Sequence, residues 1–282
     1  MKKLGWFLMS ILPVAVMLAI QFAGTVILTV WYMVRYGVTD GAQMVLDNVM
    51  AVMVITQIMT LFITGLWYYF GVYRQRKEKG EGEKSSFSGK SLGGIFCFAI
   101  GSQCLVGLLL LIWSMVNPGQ IEAYNQMIED SGIGELTVLA AVATVIMAPV
   151  GEEIVCRGLT VEYLKRTGAG FWVINVVQAL FFGIMHLNLV QGVYAFFVGL
   201  MCGYIVLKYR NLLASIFFHA VFNAYSTFGT PVVEALEAAN PTVFYIGYLI
   251  AGIALFLLGS RLMKKDLERE ESGRLPGTGI GI

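Results

Sequence analysis

The sequence alternates long apolar runs with short polar stretches, and the runs are its dominant pattern. A helix needs about 17–25 mainly apolar residues to cross a bilayer. Eight runs fit this rule, at roughly residues 5–33, 45–72, 92–115, 136–163, 171–187, 190–207, 212–228 and 242–262. The pattern therefore predicts an all-α fold, a polytopic membrane helical bundle with about eight transmembrane helices.

The composition agrees with a membrane protein. Of the 282 residues, 57% are hydrophobic and only 13% are charged, whereas charged residues make up about 25% of a soluble domain. The net charge of +1 gives no reason to expect a nucleic-acid partner. We therefore expect a multi-pass protein of the cell membrane whose main surroundings are the lipid bilayer.

Lysine and arginine are concentrated in alternate loops. Residues 74–90 hold six of them, whereas residues 117–135 and 229–241 hold none. Cytoplasmic loops of membrane proteins carry an excess of these residues. The distribution therefore predicts that both termini are cytoplasmic.

One polar stretch divides the chain. We predict two amino-terminal transmembrane helices in residues 1–73 and a polar cytoplasmic linker in residues 74–91. A six-helix part follows in residues 92–263, and a disordered cytoplasmic tail in residues 264–282. Every motif described below lies in the six-helix part.

Charged side chains inside an apolar run mark the candidate site. Glu152, Glu153 and Arg157 lie in the fourth run, although a charge at the centre of a membrane helix costs about 2.5–3.5 kcal/mol on insertion scales. Arg157 follows Glu153 by four positions, so these two share a helix face and can pair. Glu152 lies about 100° around the helix and can point at another group.

The only two histidines of the chain also lie in apolar runs. His186 ends the segment that begins at Phe182, and His219 begins the segment that ends at Asn223, one helical turn later on the same face. A short turn joins the fourth and fifth runs, so antiparallel packing places Glu152 and His186 at about the same depth. We predict that these side chains meet inside the membrane.

This set of side chains suits hydrolysis of an amide. A carboxylate and an imidazole, Glu152 and His186, can hold and deprotonate a water molecule. A second imidazole and an amide, His219 and Asn223, can donate hydrogen bonds to a developing oxyanion. Glu153, paired with the arginine, would fix the helix that presents the base.

A metal is a second way to use the same side chains. Glu152, His186 and His219 can form a Zn²⁺ site with one position open for water. No HExxH motif is present, and the three ligands come from three separate helices. Metal-free activation of water explains the same residues, so both alternatives stand at this point.

The three motifs resemble those of the CPBP family, which comprises the CAAX prenyl endopeptidases and the bacteriocin-processing (Abi) intramembrane metalloproteases. The family pattern is Glu-Glu-x-x-x-Arg, then Phe-x-x-x-His, then His-x-x-x-Asn/Asp, and it is matched here in order over about residues 135–228. The resemblance implies an eight-helix membrane fold. It also implies an endopeptidase that hydrolyses a peptide bond of a membrane-associated peptide or protein.

The resemblance assigns roles to individual residues. The catalytic side chains that it implies are Glu152, His186, His219 and Asn223, and the supporting side chains are Glu153, Arg157 and Phe182. One departure lies just before the arginine, where the family often has an aromatic residue and this chain has Cys156.

Two other functions use the same pattern. The first is a non-catalytic membrane immunity or binding protein on the same fold, whose function would survive loss of the Glu152 carboxylate. The second is a transporter with an embedded Glu/His relay, because intramembrane acids mark such pathways. A transporter predicts flux that depends on a pH gradient.

Overall fold

The computed structural model describes residues 2–80, 89–133 and 136–272, except for the side chains of residues 266 and 269–272. No strand occurs in this part of the chain. The described helices are, in order, α1 (Lys3–Tyr36), α2 (Val38–Asp47), α3 (Val49–Glu78), α4 (Gly89–Val116), α5 (Pro118–Asp130), α6 (Val138–Lys165), α7 (Phe171–Ile184), α8 (Leu189–Tyr209), α9 (Leu212–Ala239) and α10 (Pro241–Ser272).

Seven of the described helices are long and apolar enough to cross a bilayer, namely α1, α3, α4, α6, α8, α9 and α10. Helix α7 is apolar but has 14 residues, a length of about 21 Å, which is less than the hydrocarbon core of about 30 Å. These lengths confirm the predicted all-α polytopic bundle of roughly eight membrane helices. They also show that the fifth predicted span is a shorter helix.

Two predicted boundaries lie elsewhere in the structure. Helix α3 continues into the predicted linker, and α10 continues into the predicted tail. Each extension carries opposite charges one helical turn apart, Arg74–Glu78 at 2.8 Å and Lys264–Glu268 at 3.8 Å. Such pairs stabilise an exposed helix end. Helix α4 begins at Gly89, inside the predicted linker. Residues 81–88 of that linker and residues 273–282 of the tail lie outside the described residues.

Helix ends with cationic and aromatic side chains meet at one end of the bundle, here called the basic end. The Arg166 guanidinium lies 4.9 Å from the ring centroid of Trp6. Trp67 Nε1 donates a hydrogen bond of 2.9 Å to the Tyr163 hydroxyl. The start of α1 and the ends of α3 and α6 therefore lie together. This agrees with the concentration of lysine and arginine in alternate loops of the sequence.

Helices α7 and α8 form a close hairpin that carries part of the candidate site. Gln178 Nε2 donates to the Gly199 carbonyl at 2.8 Å, and Asn175 Nδ2 donates to the Leu200 carbonyl at 3.1 Å. A Cβ atom on Gly203 would lie 2.0 Å from Asn175 Oδ1 and 2.2 Å from Gln178 Nε2. Only glycine allows α8 to approach α7 this closely.

Gly203→Ala is therefore expected to lower the free energy of unfolding by about 1–3 kcal/mol, because the added methyl group overpacks a filled interface. Thermal unfolding of the purified protein in detergent measures the change. Gly65→Ala is the matched control, since a Cβ atom there would meet nothing within 4 Å and alanine favours the helix. Equal melting temperatures for the two variants would contradict this packing.

Helix α6 is irregular around its two carboxylates. It contains π-helical segments at Ala143–Met147 and Ile154–Thr160, and Glu152 and Glu153 lie between them. Single π turns inside α-helices occur frequently at functional sites, because they rotate the following side chains relative to the regular helix. Helix α6 thus departs from regular α-helical geometry both before and after Glu152 and Glu153.

Candidate active site

Glu153 is buried and is held by three side chains. Arg157 Nη1 donates to its Oε1 at 2.7 Å, and His219 Nδ1 lies 2.9 Å from the same oxygen. The Ser215 hydroxyl donates to the other oxygen. The ion pair expected from the spacing of Glu153 and Arg157 is therefore present within α6. The contacts of Ser215 and His219 with the same carboxylate join α6 to α9.

Arg157 connects the same carboxylate to the α7–α8 hairpin. Its Nη2 donates to the Gly199 carbonyl at 3.2 Å. The guanidinium carbon lies 4.3 Å from the ring centroid of Phe182, within the range of a cation–π interaction. Arg157 thus contacts α6, α7 and α8 at one point.

Phe182 also contacts both histidines. Its ring meets the His186 ring edge-on at a centroid distance of 5.0 Å and the His219 ring at 5.6 Å. His186 Nδ1 lies 2.7 Å from the Phe182 carbonyl. Because a carbonyl oxygen only accepts, Nδ1 carries the proton, and Nε2 of the neutral ring keeps a lone pair.

His219 lies between the two adjacent carboxylates. Its Nδ1 is 2.9 Å from Glu153 Oε1, and its Nε2 is 3.7 Å from Glu152 Oε2. Glu153 is ionised against the guanidinium, so Nδ1 donates to it and Nε2 is the nitrogen that faces Glu152. The Phe182 ring contacts both imidazoles and so links His186 to this group. The structure therefore brings both histidines and both carboxylates together.

The two carboxylates have different surroundings. The Glu153 side chain is 0% exposed, and its oxygens accept from three partners, whereas the Glu152 side chain is 15% exposed. The contact of Glu152 with His219 at 3.7 Å is longer than a hydrogen bond. Glu153 is thus a structural anchor, and Glu152 is open to a ligand.

Asn223 contacts the first π segment of α6. The Ala148 N–H donates to the Ala143 carbonyl, five positions back. In this register the Thr144 carbonyl would face Pro149, which has no N–H. Asn223 Nδ2 supplies the missing donor at 2.9 Å. This bond uses one of the two N–H groups of the amide.

A compact group of possible metal ligands occurs in the described part of the chain. Suitable atoms of Glu153, Cys202 and His219 all lie within 4.8 Å of one another. The group does not suit a cation, because the Arg157 guanidinium is 2.7 Å from Glu153 and the carboxylate is already saturated with donors.

Two of the three ligands predicted from the sequence lie close together. Glu152 Oε2 and His219 Nε2 are 3.7 Å apart, close to the separation of about 3.3 Å between two ligands of tetrahedral zinc. His186 Nε2 keeps its lone pair, because Nδ1 is held by a backbone carbonyl. Among the described residues, however, Glu152, His186 and His219 do not form a group whose ligand atoms all lie within 4.8 Å of one another.

Sequence reasoning missed two groups that hold this site. Ser215 lies four positions before His219 and eight before Asn223, so one face of α9 carries all three. This spacing is the sequence signal from which the role of Ser215 could have been predicted. Gly199 contributes a backbone carbonyl, for which the sequence carries no signal.

Comparison with known proteins gives one match. Residues 134–225 match the family model described as "Type II CAAX prenyl endopeptidase Rce1-like". The match covers about a third of the chain and contains the three motifs. No curated protein and no solved structure matches the chain. Over residues 134–225, the chain is therefore similar to the type II CAAX prenyl endopeptidases, in agreement with the resemblance carried by the three motifs.

Proposed function

We propose that the chain is an intramembrane endopeptidase that hydrolyses a peptide bond of a membrane-associated peptide or protein. The main observation behind the proposal is that the two adjacent carboxylates differ in burial and in hydrogen bonding. Glu153 is saturated and buried, whereas Glu152 is partly exposed and faces the free nitrogen of His219 at 3.7 Å. The match to a family of proteases supports the same reaction.

In this proposal Glu152 is the general base. It takes a proton from a water molecule that His186 Nε2 helps to hold, and the water oxygen bonds to the substrate carbonyl carbon. The protonated Glu152 then gives its proton to the amide nitrogen as the carbon–nitrogen bond breaks. The products are a carboxylic acid and an amine, and transfer of the remaining water proton turns them into a carboxylate and an ammonium group, so atoms and protons balance.

The oxyanion that forms in between needs hydrogen-bond donors. Asn223 offers its second N–H, since the first is held by the Thr144 carbonyl. His219 donates from Nε2 when its ring is charged, and Glu153 accepts from Nδ1 in either charge state. The buried Glu153–Arg157 pair therefore positions His219 and does not contact the substrate.

A divalent cation is the second proposal for the same residues, and it would require His186 to lie closer to the other two ligands than it does here. Glu152, His186 and His219 would hold it, and bound Zn²⁺ would supply a water molecule of lowered pKa. In that case His219 Nε2 acts through its lone pair, with Nδ1 still held by Glu153.

Proteolysis in liposomes tests the proposal. Purified protein is incubated with membrane-anchored peptides, with and without a prenyl group on a carboxy-terminal cysteine, and the products are read by mass spectrometry. We expect cleavage of anchored peptides and none of the same peptides without an anchor, because the site lies between membrane helices. Failure of the folded protein to cleave any anchored peptide would contradict the proposal.

A chelator arm of the same assay separates the two mechanisms. Metal-dependent hydrolysis predicts loss of cleavage with chelator and recovery with added Zn²⁺. Activation by Glu152 and His186 alone predicts equal cleavage with and without chelator.

We also propose that the protein lies in the cell membrane with its basic end and both termini on the cytoplasmic side. The support is the excess of lysine and arginine in alternate loops.

A further inference from the structure

A cleft between α1, α3 and α6 leads to the Glu152 side chain. The cleft is shallow, and its enclosed space holds about one water molecule. Helices α1 and α3 lie outside the segment that matches the protease family. The polar lining residues are Gln21, Gln57, Thr60 and Glu152, and the large apolar ones are Met17, Leu61 and Met147.

Gln57 carries a hydrogen-bond acceptor without a partner. Its Oε1 atom is buried and accepts from no donor in the described part of the chain. The nearby Thr60 hydroxyl cannot serve, since it donates to the Thr56 carbonyl at 2.9 Å. A buried unpaired acceptor destabilises the folded protein, so a ligand that donates an N–H to this oxygen would gain affinity.

The chemistry of the cleft selects the kind of ligand. An amide side chain offers an acceptor and two donors, which complement the C=O and N–H of a peptide unit. Beside Gln21 and Gln57 the cleft walls include Met17, Leu61 and Met147, and among the described residues that line it only Glu152 is ionisable. Uncharged polar groups on an apolar wall match a peptide backbone better than a charged ligand.

The backbone of a substrate segment bound here must also be extended. In a membrane helix every internal N–H is already bonded within the helix. A helical substrate would therefore have no N–H left for Gln57 Oε1. A segment that lies along this cleft and bonds to Gln57 must therefore have unwound, which is also the state in which a peptide bond is open to attack.

We propose that Gln21 and Gln57 bind the backbone of an extended substrate segment beside Glu152. This inference rests on the proposed function and names how that site holds its substrate. The two amino-terminal spans then supply the binding wall, and the family segment supplies the reacting groups. Because the contacts are to backbone atoms, binding tolerates many side-chain sequences.

The inference is tested by measuring peptide binding to a catalytically inactive variant of the protein. The probe is a pool of peptides with an apolar anchor of about 20 residues and a randomised segment next to it, and the protein carries Glu152→Gln. We expect Gln57→Leu to weaken binding of the pool about three- to tenfold. Gln21→Leu should weaken it in the same direction.

Gln103→Leu is the matched control. Gln103 lies on α4, its Oε1 is likewise buried without a partner among the described residues, and it does not line the cleft. Both Gln57→Leu and Gln103→Leu should raise the melting temperature, because each removes a buried unpaired acceptor. Only Gln57→Leu should weaken binding, so a merely structural role cannot imitate the expected result.

Substitutions in the peptide backbone identify which N–H group donates to Gln57 Oε1. In one bound peptide each N–H in turn is replaced by an ester oxygen. We expect one ester position to weaken binding to protein with Gln57 and to have no effect on Gln57→Leu. Absence of pool binding, or equal binding by Gln57→Leu, would overturn the inference.

The same pool separates this inference from the proposed function. Protein with Glu152 intact is incubated with the pool, and cleavage is read by mass spectrometry. Gln57-dependent binding without cleavage would remove the proposed function and leave the cleft assignment. Cleavage that Gln57→Leu does not change would remove the cleft assignment and leave the proposed function.

Discussion

Glu152→Gln is expected to lower the rate of peptide cleavage by about 10²–10⁴, the usual contribution of a positioned general base. The amide keeps the shape of the side chain but cannot take a proton from water. Stability should change little, because Glu152 is partly exposed and its contact with His219 is 3.7 Å long. The measurement is kcat/KM on an anchored peptide, with a melting curve for each protein.

Glu162→Gln provides the matched control for that variant. Glu162 lies on the same helix toward the basic end, its side chain is 18% exposed, and it pairs with Lys165 at 3.9 Å. It has the same charge and similar exposure but lies away from both histidines along α6. We expect full activity from Glu162→Gln, and equal activity from both variants would exclude Glu152 as the base.

Arg157→Met is expected to lower the free energy of unfolding by about 3–5 kcal/mol, because it leaves the buried Glu153 carboxylate without its charged partner. It also removes the contacts of the guanidinium with the Gly199 carbonyl and the Phe182 ring. Activity should fall as well, since Glu153 holds His219 Nδ1. Unfolding in detergent and the yield of folded protein measure the effect.

A second substitution separates charge from packing. In the double variant with Glu153→Gln no unpaired charge remains, so part of the lost stability should return. Activity should stay low, because the neutral amide no longer anchors His219 as a carboxylate does. Normal yield and normal activity of Arg157→Met would show that the pair supports neither fold nor site.

The sequence predicts contacts within one helix well, for a physical reason. Residues four apart on a helix are neighbours wherever that helix packs, so the Glu153–Arg157 pair follows from spacing alone. Contacts between helices depend on rotation and tilt, which spacing does not determine. The position of His219 between both carboxylates was therefore not predicted, and neither was the bond from Ser215.

Two further features needed coordinates. The first π segment of α6 lies where Pro149 cannot continue the hydrogen-bond ladder, and the Asn223 bond to Thr144 follows from it. The sequence shows the proline but not the register that results. The cleft forms where three helices pack together. The sequence alone therefore gives no sign that Gln21 and Gln57 line it.

The most direct test of the account is hydrolysis in water labelled with heavy oxygen. Wild-type protein and Glu152→Gln, each in liposomes, receive the same anchored peptides, and the products are weighed by mass spectrometry. The account predicts that the wild type yields fragments with one heavy oxygen in the new carboxylate and that Glu152→Gln yields almost none. Intact peptides with wild-type protein, together with proton flux driven by a pH gradient, would contradict it and favour a transporter.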